Sequence, residues 1–193
     1  MDSMKDAQKA HENVRSKDVT RFALCELFVD GDIEKLVSCD GHRILGTKAG
    51  FFDSYKNQII RADVFVKNSE AVASSCSTPY PSLKQVRPDL TGYISVNFSI
   101  PSWFKSLGKL KGNNAVNLMR FGNITIGEEF LGNPEFIASV NVAYLAVLAD
   151  KTLTLWYNEH DRMAPVVFTD IREKSQAYQG SEFFYVLMPM RVC

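Results

Sequence analysis

The sequence predicts an α+β fold of antiparallel sheets with short helices on one face, and three observations carry that expectation. Short apolar or alternating runs, such as Ile33 to Ser38, Tyr93 to Ser99 and Thr152 to Tyr157, have the period and length of strands. Turn signals such as Asp30-Gly31-Asp32 and Gly122-Asn123 join them into hairpins. That leaves too many hairpins per helix for a parallel doubly wound sheet. The order β-α-β-β occurs at 93 to 130 and again at 136 to 188, and a truncated unit fits 3 to 66, which suggests duplicated half-domains.

The elements follow in order. Residues 3 to 16 are strong helix formers, with Met4, Ala7, His11 and Val14 along one stripe. Arg21 to Val29 and Ile33 to Ser38 read as β runs, and Ile59 to Val66 as another strand. Residues 68 to 79 are Ser-rich and read as a weak helical turn followed by a loop. Residues 80 to 88 carry Pro81 and Pro88, so they cannot form a central strand and read as an extended connector.

Beyond the connector, Tyr93 to Ser99 is a strand. Pro101 opens a helix with Trp103, Phe104, Leu107 and Leu110 inward. Ala115 to Phe121 and Ile124 to Phe130 pair about Gly122-Asn123. After Gly132-Asn133-Pro134 come a strand from Phe136 to Val140, Asn141 as a helix cap and a helix from Val142 to Ala149. Strands at Thr152 to Tyr157, Val166 to Thr169 and Phe183 to Met188 complete the chain. Trp103 and Trp156 both lie in apolar periodic segments and read as core.

Composition excludes several classes. The 193 residues suffice for one or two domains with cores. With 22 Lys+Arg against 22 Asp+Glu, no global field attracts nucleic acid, and DNA affinity would need local segregation of charge. Cys25, Cys39, Cys76 and Cys193 are widely spaced without a CxxC pair, and no signal peptide precedes them. They read as reduced thiols of a cytoplasmic protein. No apolar run approaches the roughly 20 residues that span a bilayer, so no membrane partner is expected.

The stretch from Leu36 to Leu45 breaks at Asp40-Gly41, which turns the backbone sharply and places His42 and Arg43 at a strand corner. As a catalytic corner, Asp40, His42, Ser38 and Cys39 would not converge, because neighbours on a strand alternate faces. Asn158 to Arg162 has atoms suited to a metal but the composition of a solvated turn. No phosphate loop or GxGxxG is present. The expectation is therefore no enzyme, no cofactor and no metal. The end of the chain, Phe184 to Val192, surrounds a rigid proline with soft methionines, a composition that suits an adaptable apolar groove.

These residues carry a resemblance to a known family. Val37-Ser-Cys-Asp-Gly-His-Arg-Ile resembles the strand-turn motif of the bacterial β sliding clamp, where Asp-Gly-His-Arg-Leu follows a valine and an alanine-threonine pair. Tyr80-Pro-Ser-Leu-Lys-Gln-Val-Arg-Pro88 is similar to that family's connector between its second and third domains. Phe136 to Leu148 resembles the final strand-helix unit of the last domain, and Tyr185 to Val192 resembles the C-terminal tail. The motifs stand in the family's order, and the stretches between them match weakly.

The resemblance implies duplicated clamp-like domains, here a shortened one at 1–88 including the connector and a C-terminal one at 89–193. It implies a hydrophobic pocket that takes short linear motifs from partners such as DNA polymerase or the clamp loader. The matching positions are Gly41, His42, Arg43 and Ile44, then Pro81 and Val86, then Val186, Met188, Pro189 and Met190. His42 and Arg43 are the groups placed to bond a peptide's carbonyls or glutamine. Aliphatic and Met side chains would bury its Leu or Phe anchors, each worth roughly 1.5–3 kcal/mol.

Clamps of this family have three similar domains and are nearly twice as long, so this chain resembles the second and third. Its reduced size fits a phage or mobile element. The expected function is a clamp-like tether of replication or repair proteins to DNA. Two-domain subunits would close a homotrimeric ring if the rotation closes. The alternative is a non-encircling mimic or adaptor that captures clamp-binding proteins and modulates host replication. Non-specific contact with double-stranded DNA would fall to Lys5, Lys9 and Arg15 on the first helix and to Lys105, Lys109 and Lys111 on the second. The bland reading of those six is a solvated face.

Overall fold

Helix formers with an apolar stripe, followed by short β runs punctuated by Asp-Gly turns, dictate how the chain begins. The structure, a computed structural model, describes residues 4–48, 52–109, 115–120 and 135–190. Leu110, Lys111, the Gly122-Asn123 turn, the strand expected at Ile124 to Phe130, Gly132-Asn133-Pro134 and the end of the tail lie outside these residues.

Helix α1 (Met4–Val14) buries Gln8, Ala10, His11 and Val14, while Met4 and Ala7 of the expected stripe are half-buried. A single helical turn, α2 (Phe22–Cys25), then stands where a β run was expected. The reason is local. Thr20 N–H and hydroxyl donate to Asp18 Oδ1, and Arg21 N–H donates to the Asp18 carbonyl, which starts a turn before the apolar residues can extend.

Strands β1 (Leu27–Asp30), β2 (Lys35–Cys39) and β3 (Arg43–Lys48) follow, then β4 (Gln58–Ile60). Helix α3 (Ala62–Asn68) replaces most of the strand expected at Ile59 to Val66. The Glu26 carboxylate accepts the Ala62 N–H at 2.7 Å and Asp63 sits in the first turn, so carboxylates offset the unpaired amides and positive dipole of the helix start.

The connector is not fully extended either. It contains the helical turn α4 (Leu83–Val86), because Leu83 must turn inward to become buried. Strand β5 (Tyr93–Ser99) lies where expected. The helix after Pro101 shrinks to one turn, α5 (Phe104–Leu107), and Trp103 is 61% exposed rather than core. The remaining elements are β6 (Ala115–Arg120), β7 (Glu135–Asn141), α6 (Val142–Leu145) continued by a 3-10 turn, β8 (Thr152–Asn158), β9 (Val166–Thr169) and β10 (Phe183–Leu187). Asn141 caps α6 as its residue type predicts, accepting the Ala143 N–H at 3.0 Å. Trp156 is buried.

Two compact units result, one of residues 1–89 with 167–187 and one of 90–166 with 188–193. In the first, strand order is β4-β1-β2-β3-β10-β9, with β1/β2, β1/β4, β2/β3 and β3/β10 antiparallel. Its core gathers Leu27, Val29, Leu36, Phe52, Ile60, Ala62 and Phe65. Helix α1 is fastened to α3 by Gln8 Nε2, which donates to the Phe65 carbonyl at 2.8 Å, and His11 meets the Phe65 ring edge-on at 5.9 Å. In the second unit β5 pairs with β8 and β6 with β7, both antiparallel. Antiparallel pairing dominates and the helices are short, as the hairpin-rich sequence requires. Among the described residues no helix is long and apolar enough to cross a membrane.

Candidate functional site

The Asp40-Gly41-His42 corner is built from its own side chains. Asp40 Oδ1 accepts the N–H groups of His42 at 2.9 Å and Arg43 at 3.1 Å, closing the turn between β2 and β3. Gly41 adopts φ +92, a conformation that suits glycine, and a Cβ there would stand 2.8 Å from Arg21 Nη1. That guanidinium donates to the Asp40 carbonyl at 3.2 Å, so α2 is laid beside the corner.

Arg43 does not project freely, contrary to the expectation from sequence. Its Nε donates to Asp40 Oδ2 at 2.8 Å, Nη2 to the Asn13 carbonyl at 2.5 Å and Nη1 to Tyr185 Oη at 3.5 Å. Burial works against its charge, but the oxygens of Tyr185 and Asp40 more than offset this and raise its pKa above the ordinary arginine value. Arg43 therefore braces the corner between α1 and β10, and His42 is left as the exposed polar group of the pair.

The other expected residues divide by burial. Ile44 and Val186 are cross-strand partners and both are buried, so they back the corner and do not line an open groove. Gly41, Pro81, Val86 and Met188 are exposed, Val86 at 40% and Met188 at 44%. Pro189 and Met190 are half-buried, and in the second unit Met190 N–H donates to the Ser139 carbonyl at 2.7 Å.

The connector is fixed within the first unit. Lys84 pairs with Asp32 at 2.8 Å, Tyr178 Oη donates to the Pro88 carbonyl at 2.8 Å, and the Arg87 guanidinium lies 4.6 Å above the Tyr178 ring. Tyr80 stacks on Phe28 with centroids 5.1 Å apart. Its buried hydroxyl has no partner among the described residues, and burial, then the neighbouring Cys39 and Asp40, push its pKa well above the phenol range.

Sequence reasoning missed Val19 and Phe22, which are 71% and 64% exposed on either side of Arg21. They present apolar surface on the α2 segment that Arg21 ties to the corner. Their spacing of three, behind the turn-forming Asp18, was the available signal.

The expected DNA-contacting lysines separate in the same way. Lys5 and Lys9 are exposed on α1. Arg15 is not available as expected: Nε and Nη2 grip Glu12 at 2.6 and 3.1 Å, and Nη1 donates to the Cys25 carbonyl. Glu12 also pairs with Lys17, and the two cations hold its carboxyl below the usual range against the opposing effect of burial. Lys105 pairs with Asp150, and Lys109 is exposed. No three His, Cys, Asp or Glu residues are placed to hold a metal among the described residues.

No protein-family model matches the chain, and no curated protein matches it. Its fold is similar to that of solved bacterial clamps. DNA polymerase III subunit beta from Borrelia burgdorferi superposes with TM-score 0.66 at 15% identity, over 98% of this chain and 61% of that one. The DNA polymerase sliding clamp from Caulobacter crescentus gives 0.62 at 16%, over 98% and 64%. The one from Bacillus subtilis gives 0.62 at 12%, over 98% and 62%. The chain thus spans less than two thirds of the length of each. Over the length it spans, the chain has the fold of the bacterial DNA polymerase III β sliding clamp.

Proposed function

We propose that the protein is a non-catalytic, clamp-like tether that holds replication or repair proteins to DNA by docking their short linear motifs at the Asp40-Gly41-His42 corner. One observation carries this reading: a fold of the clamp type over 98% of the chain, with the corner motif intact and its β3 strand paired to the strand that leads into the Met188-Pro189-Met190 tail. The exposed apolar side chains of Val86 and Met188 supply the kind of surface that anchors a peptide's Leu or Phe. The resemblance adds Gly41, His42 and Pro81 of the first unit, and Pro189 and Met190 of the second, to the residues that would take part. The domains at 1–88 and 89–193 are the clamp-like halves in this reading.

Tethering is tested by asking whether a labelled Gln-x-x-Leu-Phe peptide is retained on immobilised duplex DNA when the protein is added. Retention supports the reading, and DNA binding without peptide retention contradicts it. The engagement of Arg15 by Glu12 and of Lys105 by Asp150 favours a second reading, an adaptor that captures clamp-binding proteins without encircling DNA. Mass by light scattering separates the two. A trimer supports the ring, and a monomer at high micromolar concentration supports the adaptor.

A further inference from the structure

Among the described residues Trp103 is a large exposed ring of the second unit, set in a segment rich in serine and lysine. It is 61% exposed and lies against Phe104 with ring centroids 4.4 Å apart and planes tilted by 39°. The element beneath it is tightly seated. A Cβ at Gly108 would meet the Ala146 Cβ at 2.8 Å, so α5 and the 3-10 turn at Ala146–Leu148 are in close approach, and the Lys105–Asp150 pair fastens the same two segments. Lys109 is exposed and makes no ion pair among the described residues, and Ser102 and Ser106, neighbours of Trp103 in sequence, are exposed.

An aromatic face with one indole and one half-buried phenyl ring is too small to anchor a bilayer surface or a protein interface, which draw on a wider apolar area. It is the size of a nucleobase. A stacked base satisfies the ring face, and the adjacent Lys109 ammonium neutralises a phosphate, the combination that sequence-tolerant single-strand binders use. We infer that Trp103, backed by Phe104 and flanked by the exposed Lys109, is a stacking platform for single-stranded nucleic acid. This deepens the DNA contact expected of Lys109 and rests on that reading; it adds an unpaired strand as the ligand, which a duplex-encircling face does not require.

The two tryptophans make the test direct, because Trp156 is 2% exposed and reports little of the surface. The full chain is titrated with short oligo-dT, with a duplex and with anionic phosphatidylglycerol vesicles at low salt, following tryptophan emission. The expected result is saturable quenching by oligo-dT that persists in Trp156→Phe. Trp103→Ala weakens oligo-dT binding about fivefold or more, Trp103→Phe recovers most of it, and the duplex affinity does not change. Lys109→Gln lowers the salt slope by about 0.7.

Oligo-dT binding that leaves Trp103 emission and the Trp103→Ala affinity unaltered overturns the stacking platform while the duplex contact stands. Binding of neither nucleic acid overturns both readings. A blue shift with vesicles and no response to oligo-dT overturns the inference in favour of a membrane surface. Thermal melts of each variant verify that the fold persists.

Discussion

Ile44 of β3 stands directly opposite Val186 of β10 in an antiparallel ladder, and both side chains are buried. Ile44 is also opposite Cys39 of β2, so the residue after the His42-Arg43 corner is held between a neighbouring strand and one from the far end of the chain. Ile44→Ala should cost about 2–5 kcal/mol of unfolding free energy in urea titrations. Paired with Val186→Ala in a double-mutant cycle, it should show a coupling of about 0.5–3 kcal/mol. Additive losses would mean that the two are not packed together.

Arg43 and Asp40 are largely buried, with side-chain exposures of 14% and 16%. Removing one partner leaves the other charged and poorly solvated. Arg43→Ala should therefore lower stability by about 3 kcal/mol, and Arg43→Lys should recover little, because one ammonium cannot reach Asp40, Asn13 and Tyr185 together. His42→Ala, at an exposed position, should leave the melting temperature nearly unchanged. Calorimetric melts of the three variants check this.

Gly46 faces Phe184 across the β3/β10 ladder, and a Cβ at Gly46 would fall 2.2 Å from the Phe184 ring. The ring cannot simply swing away, since Tyr178 meets it edge-on at 5.2 Å. Gly46→Ala should cost about 1–3 kcal/mol through overpacking. Adding Phe184→Leu should return part of that loss. A denaturant series on the single and double variants decides it.

His11 is completely buried between Ser38 Oγ and Thr47 Oγ1, each 2.9 Å from a ring nitrogen, and burial drives its pKa down from 6.5 to about 3. The unfolded chain binds a proton below pH 6.5 that the native chain refuses until about pH 3. Stability is thus fully present above the unfolded pKa and falls as pH drops through that window, by about 1.4 kcal/mol per pH unit for one proton. In His11→Gln this component of the slope should vanish, although absolute stability falls. Urea melts between pH 7 and pH 4 (an experimental window of about 3 units) measure both slopes.

The corner was legible in the sequence because its chemistry is local. Asp40 closes the turn onto residues two and three positions away, and Gly41 supplies the positive φ. Asn141 was legible as a cap for the same reason. What sequence reading missed depended on partners remote along the chain. Ala62 begins a helix because Glu26 accepts its N–H, and Arg43 is committed because Asn13 and Tyr185 lie beside it. Trp103 read as core because Phe104 and Leu107 share its apolar run, but a helix of one turn has too little length to bury all three. Ile44 and Val186 are cross-strand partners, and their burial could not be read from residue type alone.

Peptide docking at the corner is checked by titration calorimetry of a short Gln-x-x-Leu-Phe-type peptide into the full chain. The expected affinity is about micromolar, in line with two or three buried apolar anchors, and it is lost in Met188→Asp. No detectable binding to the unaltered protein would contradict it.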